Sequence, residues 1–223
     1  MIKSTYTQLS YYHFKGFFPK YIAISLMGFS KFIRVKAEGM KLGKLLGTGS
    51  GLGFSQKPNW GKYAHIAVWE TKEDAENYYS KSHLIKMLER YSFKKDQFEM
   101  LPYQSKGVWD GKNPYEGVSN NGAQQGEVAI LTRAKVKIKN LPDFWKYVKP
   151  SNKSLSEADG RIYSAGMGEW PFSHPITFSV WESLDHAVRF AHGVSVHGKA
   201  AKAARDGKWF REDLFVRFAV KRT

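Results

Sequence analysis

Seven histidines are the residues of this sequence best suited to hold a metal or to transfer protons. They are His13, His65, His83, His174, His186, His192 and His197. The chain contains no cysteine, which excludes disulfides, iron–sulfur clusters, thiolate-ligated haem and cysteine-bound zinc. Any bound metal would therefore be held by His, Asp, Glu, Tyr or Met side chains.

His197 has the sequence context that best fits a metal ligand. The run HGVSVHGK predicts that one helix ends near Gly193 and that a second begins after Ser195 as its N-cap. The N-terminus of a helix disfavours imidazolium and keeps the ring neutral, which is the form that binds a metal. His192 would point about 140° away on a continuous helix, so the two histidines do not form a ligand pair. The alternative is a surface or half-buried histidine.

Glycines at every second position mark the run GTGSGLG. They are Gly47, Gly49, Gly51 and Gly53. On one strand they would share a face and let a flat ligand or another backbone approach closely. The run does not match GxGxxG, so a dinucleotide site is not indicated. The alternative is a bulged or bent hairpin strand.

Two halves of the chain repeat the order βαββαβ. In the first half we predict strands at Tyr6–Phe14, Lys44–Phe54, Tyr63–Trp69 and Gln97–Tyr103, with helices at Pro19–Val35, Lys72–Tyr79 and His83–Tyr91. In the second we predict strands at Val128–Val136, Arg161–Gly166, Ile176–Trp181 and Asp213–Val220, with helices from Pro142, over Leu184–His192 and from Val196. The pattern predicts an α+β fold of two tandem ferredoxin-like modules.

The predicted modules cover residues 1–103 and 127–223, and residues 104–126 form an exposed connector rich in Gly, Asn and Ser. Sheets with helices on one face leave the other face bare, so we expect the modules to pack into a barrel-like core within one chain. The second module carries His197, while His83, at the equivalent place in the first, is expected to be structural or solvent-facing.

The sequence resembles the spheroidene monooxygenases, haem enzymes of carotenoid biosynthesis, over nearly its whole length. The matching stretches, in order, are LSYYHFKGF, LMGFSKF, KLLGTGSGLGF, AVWE, VAILTRAKV, FWKYV, FSVWES and VHGKAAKAARDGKWFREDLFVRF. The resemblance implies a haem b monooxygenase that acts on a long apolar carotenoid-type substrate and takes electrons from a donor such as ferredoxin.

The resemblance also suggests roles for particular residues. His197 would be the proximal iron ligand, with Ala201 on a helix of small residues close to the macrocycle. Gly49 and Gly51 would allow close approach of the cofactor. Arg133, within LTRAKV, could pair with a haem propionate or polarise bound dioxygen, because a guanidinium stays charged and donates in a fixed fork. The alternative for Arg133 is a partly exposed strand residue.

Two other functions remain open at this point. One is a haem-dependent dehydratase of the aldoxime dehydratase type, with His13 or Arg133 as the distal acid. The other is a non-enzymatic basic ferredoxin-like module that binds RNA or an acidic surface, which the net charge of +15 would favour. The first strands lack the aromatic signature of RNA-recognition modules, so no nucleic acid is expected.

The sequence also bears on where the protein works. No apolar run approaches the length of a membrane span, and the N-terminal residues lack the pattern of a signal peptide. We therefore expect a cytoplasmic protein. An apolar carotenoid substrate and the positive charge predict peripheral contact with the inner face of the membrane.

Overall fold

The chain has an α+β fold, and the computed structural model describes residues 5–30, 37–118, 126–169, 173–192, 202–204 and 206–222. The strands are β1 (Tyr6–His13), β2 (Met40–Gly49), β3 (Pro58–Trp69), β4 (Lys94–Gly107), β5 (Val128–Val136), β6 (Arg161–Gly168), β7 (Pro175–Trp181) and β8 (Phe210–Arg222). The helices are α1 (Phe17–Ser30), α2 (Lys72–Lys81), α3 (His83–Tyr91), α4 (Leu141–Ser156) and α5 (Leu184–His192), with a 3₁₀ turn at Ile138–Asn140. The predicted α+β class is confirmed.

Two compact units divide the chain. The first unit comprises Met1–Thr48, Asn59–Pro102 and Val220–Thr223, and the second comprises Gly49–Pro58 and Tyr103–Ala219. In the first unit the strand order is β4-β1-β3-β2, and in the second it is β8-β5-β7-β6. The predicted boundaries differ from this division, since the loop after β2 belongs with the second half of the chain. The barrel-like packing of two ferredoxin-like modules stays a prediction.

The central strands of both units pair antiparallel in the same register. Tyr6 lies opposite Trp69 and Ser10 opposite His65 in the first unit. In the second, Val128 lies opposite Trp181 and Thr132 opposite Thr177. Because side chains alternate between the faces of a strand, these pairs define equivalent positions on one face of each sheet.

Helices cover this face of each sheet, which we call the helix side. Trp69 contacts Tyr78 and Tyr79 of α2, and Trp181 contacts Phe190 of α5. Helix α2 begins at this point because the Thr71 hydroxyl caps it, accepting a hydrogen bond from the Asp74 backbone N–H at 3.1 Å. Each Val-Trp-Glu therefore ends a strand and leads into a helix that packs back on the sheet.

The helix side of the first unit is a filled aromatic core. Its strand residues Tyr6, Gln8, Ser10, Tyr12, Tyr63, His65, Ala67 and Trp69 are all buried. The His65 ring stacks on Tyr78, and its Nδ1 lies 3.1 Å from the Tyr79 hydroxyl. Burial lowers the pKa of His65 to about 4, so this histidine is neutral at pH 7. These positions of β1 and β3 are therefore closed to a ligand.

Three local predictions need correction. Strand β2 ends at Gly49, and Gly51 has a φ of 111° in the loop that follows, so the four glycines do not share one strand face. The loop turns the chain into β3, with the Ser50 N–H bonded to the Lys57 carbonyl at 2.8 Å. The predicted exposed connector contains the buried side chains of Trp109 and Tyr115. The strand ends early because its glycine-rich continuation forms a turn. The connector is partly buried because its aromatic side chains gain stability when they leave water.

Candidate functional site

The helix side of the second unit carries small side chains that are only half-buried. They are Ile130, Thr132 and Ala134 on β5 and Thr177 and Ser179 on β7. The Thr132 and Thr177 hydroxyls share a hydrogen bond across the strands. We call these five residues the open face.

The open face differs from its counterpart in the first unit at every position. The register makes Ile130, Thr132, Ala134, Thr177 and Ser179 equivalent to Gln8, Ser10, Tyr12, His65 and Ala67. All five residues of the first unit are buried, whereas all five of the open face are half-buried. The described residues therefore cover these five positions of the second sheet less completely than the matching positions of the first.

Aromatic side chains from the loop after β2 and from α4 form a wall beside the open face. Phe54 stacks on Trp145 with ring centroids 5.2 Å apart, and the Phe54 carbonyl accepts a hydrogen bond from Asn152 of α4 at 2.9 Å. Gly166 lies on the helix side of β6, next to Thr177. A Cβ there would come within 2.3 Å of the Gly53 backbone. The loop is thus held between β6 and α4.

Arg217 places a cation at the edge of the same face. It lies opposite Ile130 on β8, and its Nη1 donates to Gln104 Oε1 at 2.7 Å. Its guanidinium carbon lies 5.3 Å from the centre of the Phe215 ring. Among the described residues no acceptor reaches its buried Nε. A buried donor without a partner is costly, so this atom is suited to an anionic group of a ligand.

Arg133 points away from the open face, because Thr132 and Arg133 alternate across β5. Its guanidinium donates to three carboxylates: Glu169 at 3.0 Å, Glu212 at 2.9 Å and Asp110 at 3.0 Å. The side chain is fully buried, so the alternative of a partly exposed strand arginine is wrong. The guanidinium carbon also lies 5.5 Å from the centre of the Trp109 ring, and the Trp109 indole N–H donates to Glu169 at 3.1 Å.

We call Arg133, its three carboxylate partners and Trp109 the Arg133 cluster. Its contacts stabilise the second unit. Burial alone would raise the pKa of Glu212, but the hydrogen bond from Arg133 and the charge of Lys135 hold it below its usual value. The cluster joins the chain after β4 to the ends of β5, β6 and β8. The predicted contact of Arg133 with a propionate or dioxygen stays a prediction, and the geometry does not direct its donors to the open face.

The other predicted cofactor residues lie in different places. His197 and Ala201 lie outside the described residues, as does most of the helix predicted from Val196. A Cβ at Gly49 would meet the chain's own Ser55 at 3.0 Å, and nothing lies within 4 Å of the Gly51 position. Gly49 thus allows the loop to fold closely, and Gly51 supplies the positive φ that it requires.

The histidines of the described residues are not gathered into one centre. His13 Nε2 lies 2.8 Å from Asp96, and His83 is exposed at the start of α3, as expected of it. His186 Nδ1 is within 2.9 Å of the Ser183 hydroxyl, and His174 precedes β7. Within the described ranges, no cluster of three or more His, Asp or Glu side chains could hold a metal ion.

Comparison with known proteins decides the family. The chain is 34% identical over 183 residues to the spheroidene monooxygenase of Rhodobacter capsulatus, which covers 81% of this chain and 76% of that protein. The chain belongs to the spheroidene monooxygenase family. The family's Rubrivivax gelatinosus protein is 31% identical over 201 residues, or 88% of this chain and 77% of that protein. No family model matches the chain.

Solved structures show the same fold in a distant protein. A crystal structure of aldoxime dehydratase in complex with butyraldoxime aligns with a TM-score of 0.58 over 98% of this chain and 80% of that chain. The sequence identity is 11%, so the likeness concerns the fold alone. None of the helices in the described part of the chain is both long and apolar enough to cross a membrane.

Sequence reasoning did not identify the open face or Arg217. The signal was present as a difference between the repeats, since TRAKV replaces SYYHF and TFSVW replaces HIAVW at equivalent positions. Only the strand register shows which of these residues share a face. Arg217 belongs to the ending LFVRF, where alternation alone does not reveal a buried donor.

Proposed function

We propose that this chain is a haem-dependent monooxygenase acting on a long apolar carotenoid-type substrate, with electrons from a donor such as ferredoxin. Membership of the spheroidene monooxygenase family carries the proposal. In a monooxygenation, one oxygen atom of dioxygen enters the product and the other leaves as water, which consumes two electrons and two protons. The proposed haem would pass these electrons from the donor to dioxygen.

We propose the open face as the floor of the cofactor site. Small half-buried residues give a flat group space beside the sheet, and Phe54 and Trp145 supply an apolar wall. Arg217 would hold a haem propionate through its buried Nε. These residues therefore fit haem. When bound, haem supplies the activation of dioxygen.

The chain's own residues have three tasks in this proposal. The aromatic wall excludes water and favours an apolar substrate. The hydroxyls of Thr132 and Thr177 bond to each other, so each has a hydrogen-bond partner within the apolar site. No strand residue on the helix side of β5, β7 or β8 is a histidine, so the proposed axial ligand has to come from another segment. His197 is the candidate.

Visible spectra of the purified protein with added haem test the cofactor. A Soret band whose ferrous form shifts with carbon monoxide is expected, and a protein that takes up no haem would contradict the proposal. His197→Ala should lose haem, whereas His83→Ala should retain it. Incubation with a carotenoid and with an aldoxime, followed by product analysis, separates monooxygenation from dehydration.

The site has its own test in haem titrations. Arg217→Gln should weaken haem binding by roughly tenfold or more, because it removes a charge-assisted hydrogen bond. Arg211→Gln is the matched control, since Arg211 is exposed on the same strand. Thr177→Phe should lower haem occupancy by filling the open face. If Arg217→Gln and Thr177→Phe both bind haem normally while His197→Ala binds none, the open face is excluded as the haem site. The proposal that the protein uses haem would still stand.

A further inference from the structure

Helix α1 presents large apolar side chains to solvent although its opposite face is already packed. The inward face carries Ala23, which is buried, and Leu26 and Met27, which pack on the core of the first unit. The outward side chains Phe17, Phe18, Tyr21, Ile24 and Phe29 are all exposed, and Phe17 reaches 88%. A helix that is apolar all round is stable only when both faces are covered.

The exposed residues form one continuous arc. At about 100° per residue, Phe17, Tyr21 and Ile24 fall within about 60° of each other around the helix axis. Phe18 and Phe29 extend this arc along one side, and the Phe18 ring meets Tyr91 of α3 with centroids 5.8 Å apart. We call the five exposed residues of α1 the aromatic arc. It is a surface and not a set of isolated side chains.

Positive charge borders the N-terminal part of the aromatic arc, whereas Glu38 and Asp74 line the hollow beside Phe29. The only charged residue within α1 is Lys20, and Lys15 precedes the helix. The Arg90 guanidinium carbon lies 5.8 Å from the centre of the Tyr91 ring, which itself touches Phe18. Glu89, the acidic neighbour on α3, is bound to Lys95 at 2.8 Å.

We propose that the aromatic arc is a membrane-docking surface that inserts into the interface of an anionic lipid bilayer. Aromatic rings favour the headgroup level of a bilayer, and an apolar helix with cationic neighbours lies in that plane. Lys15, Lys20 and Arg90 would contact the phosphates of the lipids. The chain's net charge of +15 attracts it to the same surface. This inference stands on the first unit alone and does not require the proposed function.

Flotation with lipid vesicles tests the inference on the full chain without added haem, so failure of the haem proposal does not affect it. The protein should float with vesicles of phosphatidylcholine and phosphatidylglycerol and bind pure phosphatidylcholine more weakly. The double variant Phe17→Ser/Phe29→Ser should lower the partition coefficient roughly 100-fold, at about tenfold for each ring removed. Ile138→Ser is the control, because Ile138 is 74% exposed outside α1.

Two further variants separate insertion from charge. Tyr21→Trp should show a blue-shifted emission on anionic vesicles and quenching by lipids brominated near the headgroup. Lys15→Gln/Lys20→Gln should weaken binding to anionic vesicles only, and salt should reduce the difference. Lys139→Gln, an exposed lysine outside the region, should change nothing.

Three results would overturn the proposal. One is absence of flotation at low salt. Another is equal loss of binding in Ile138→Ser and in Phe17→Ser/Phe29→Ser, which would show non-specific adsorption. The third is a dimer in sedimentation velocity that Phe17→Ser/Phe29→Ser dissociates without any vesicle binding, because a second copy of the chain would then cover the arc.

Discussion

Replacement of Arg133 by methionine is expected to destabilise the second unit severely. The side chain is fully buried and bound to carboxylates that are themselves 11%, 21% and 50% exposed, those of Glu169, Glu212 and Asp110. Methionine keeps most of the apolar stem but leaves the carboxylates facing each other without the guanidinium. Removing one partner of a buried ion pair costs about 3–5 kcal/mol. Loss of the contact with Trp109 adds about 1 kcal/mol.

Urea unfolding followed by circular dichroism measures this effect. Arg133→Met should lower the free energy of unfolding by about 4–6 kcal/mol, the sum of the ion-pair and Trp109 contributions. A double-mutant cycle with Glu169→Gln should give a coupling of about 1–3 kcal/mol, because both changes break the same contacts. Lys135→Met is the control, since its 3.7 Å contact with Glu212 is half-exposed and is worth under about 1 kcal/mol.

The reasoning also predicts what Arg133→Met leaves unchanged. Haem uptake per folded molecule should stay near that of the unaltered protein, because the guanidinium faces away from the open face. If Arg133→Met keeps the unfolding midpoint of the parent chain but changes the Soret band, the arginine serves the cofactor and the structural assignment is refuted.

Two other predictions concern pH and glycine packing. The folded pKa of His65, about 4, lies below the ordinary value of 6.5. The free energy of unfolding is therefore full above pH 6.5 and falls by roughly 3 kcal/mol towards pH 4. Urea unfolding at pH 7 and pH 4.5 should show this loss, and His65→Asn should reduce it. Gly166→Ala should destabilise by about 1–3 kcal/mol or more because its Cβ meets the Gly53 backbone, whereas Gly28→Ala in open space should gain about 0.5–1 kcal/mol. Equal melting temperatures for these two alanine variants would contradict the packing argument.

Alternation and helical spacing predicted the regular elements well where one face is buried. The predicted spans Val128–Val136, His83–Tyr91 and Leu184–His192 agree with the structure at both ends. Strand ends were less accurate: β4 runs to Gly107, beyond the predicted Tyr103. Pairing with a neighbouring strand can extend an element past its apolar pattern, which a single segment does not reveal.

The contacts of Arg133 and the candidate site were harder to predict because their residues meet only through the fold. Arg133 is separated from Asp110, Glu169 and Glu212 by 23, 36 and 79 positions, so no local pattern links them. The open face depends on register, which decides whether a threonine points to the helices or away from them. The two Val-Trp-Glu motifs are recognisable in the sequence. Their tryptophans, Trp69 and Trp181, occupy equivalent positions and so align the strands of the two sheets.

The contrast between the filled first sheet and the open face of the second bears on how this protein can change. Shortening Tyr12 or Tyr63 would leave a void in a packed core, at about 3–5 kcal/mol for a large aromatic. Altering Thr177 affects a half-buried position, so it removes less packing than the loss of a buried aromatic side chain. Substitutions can therefore accumulate at the half-buried positions of one copy of the repeat while the buried core of the other is kept.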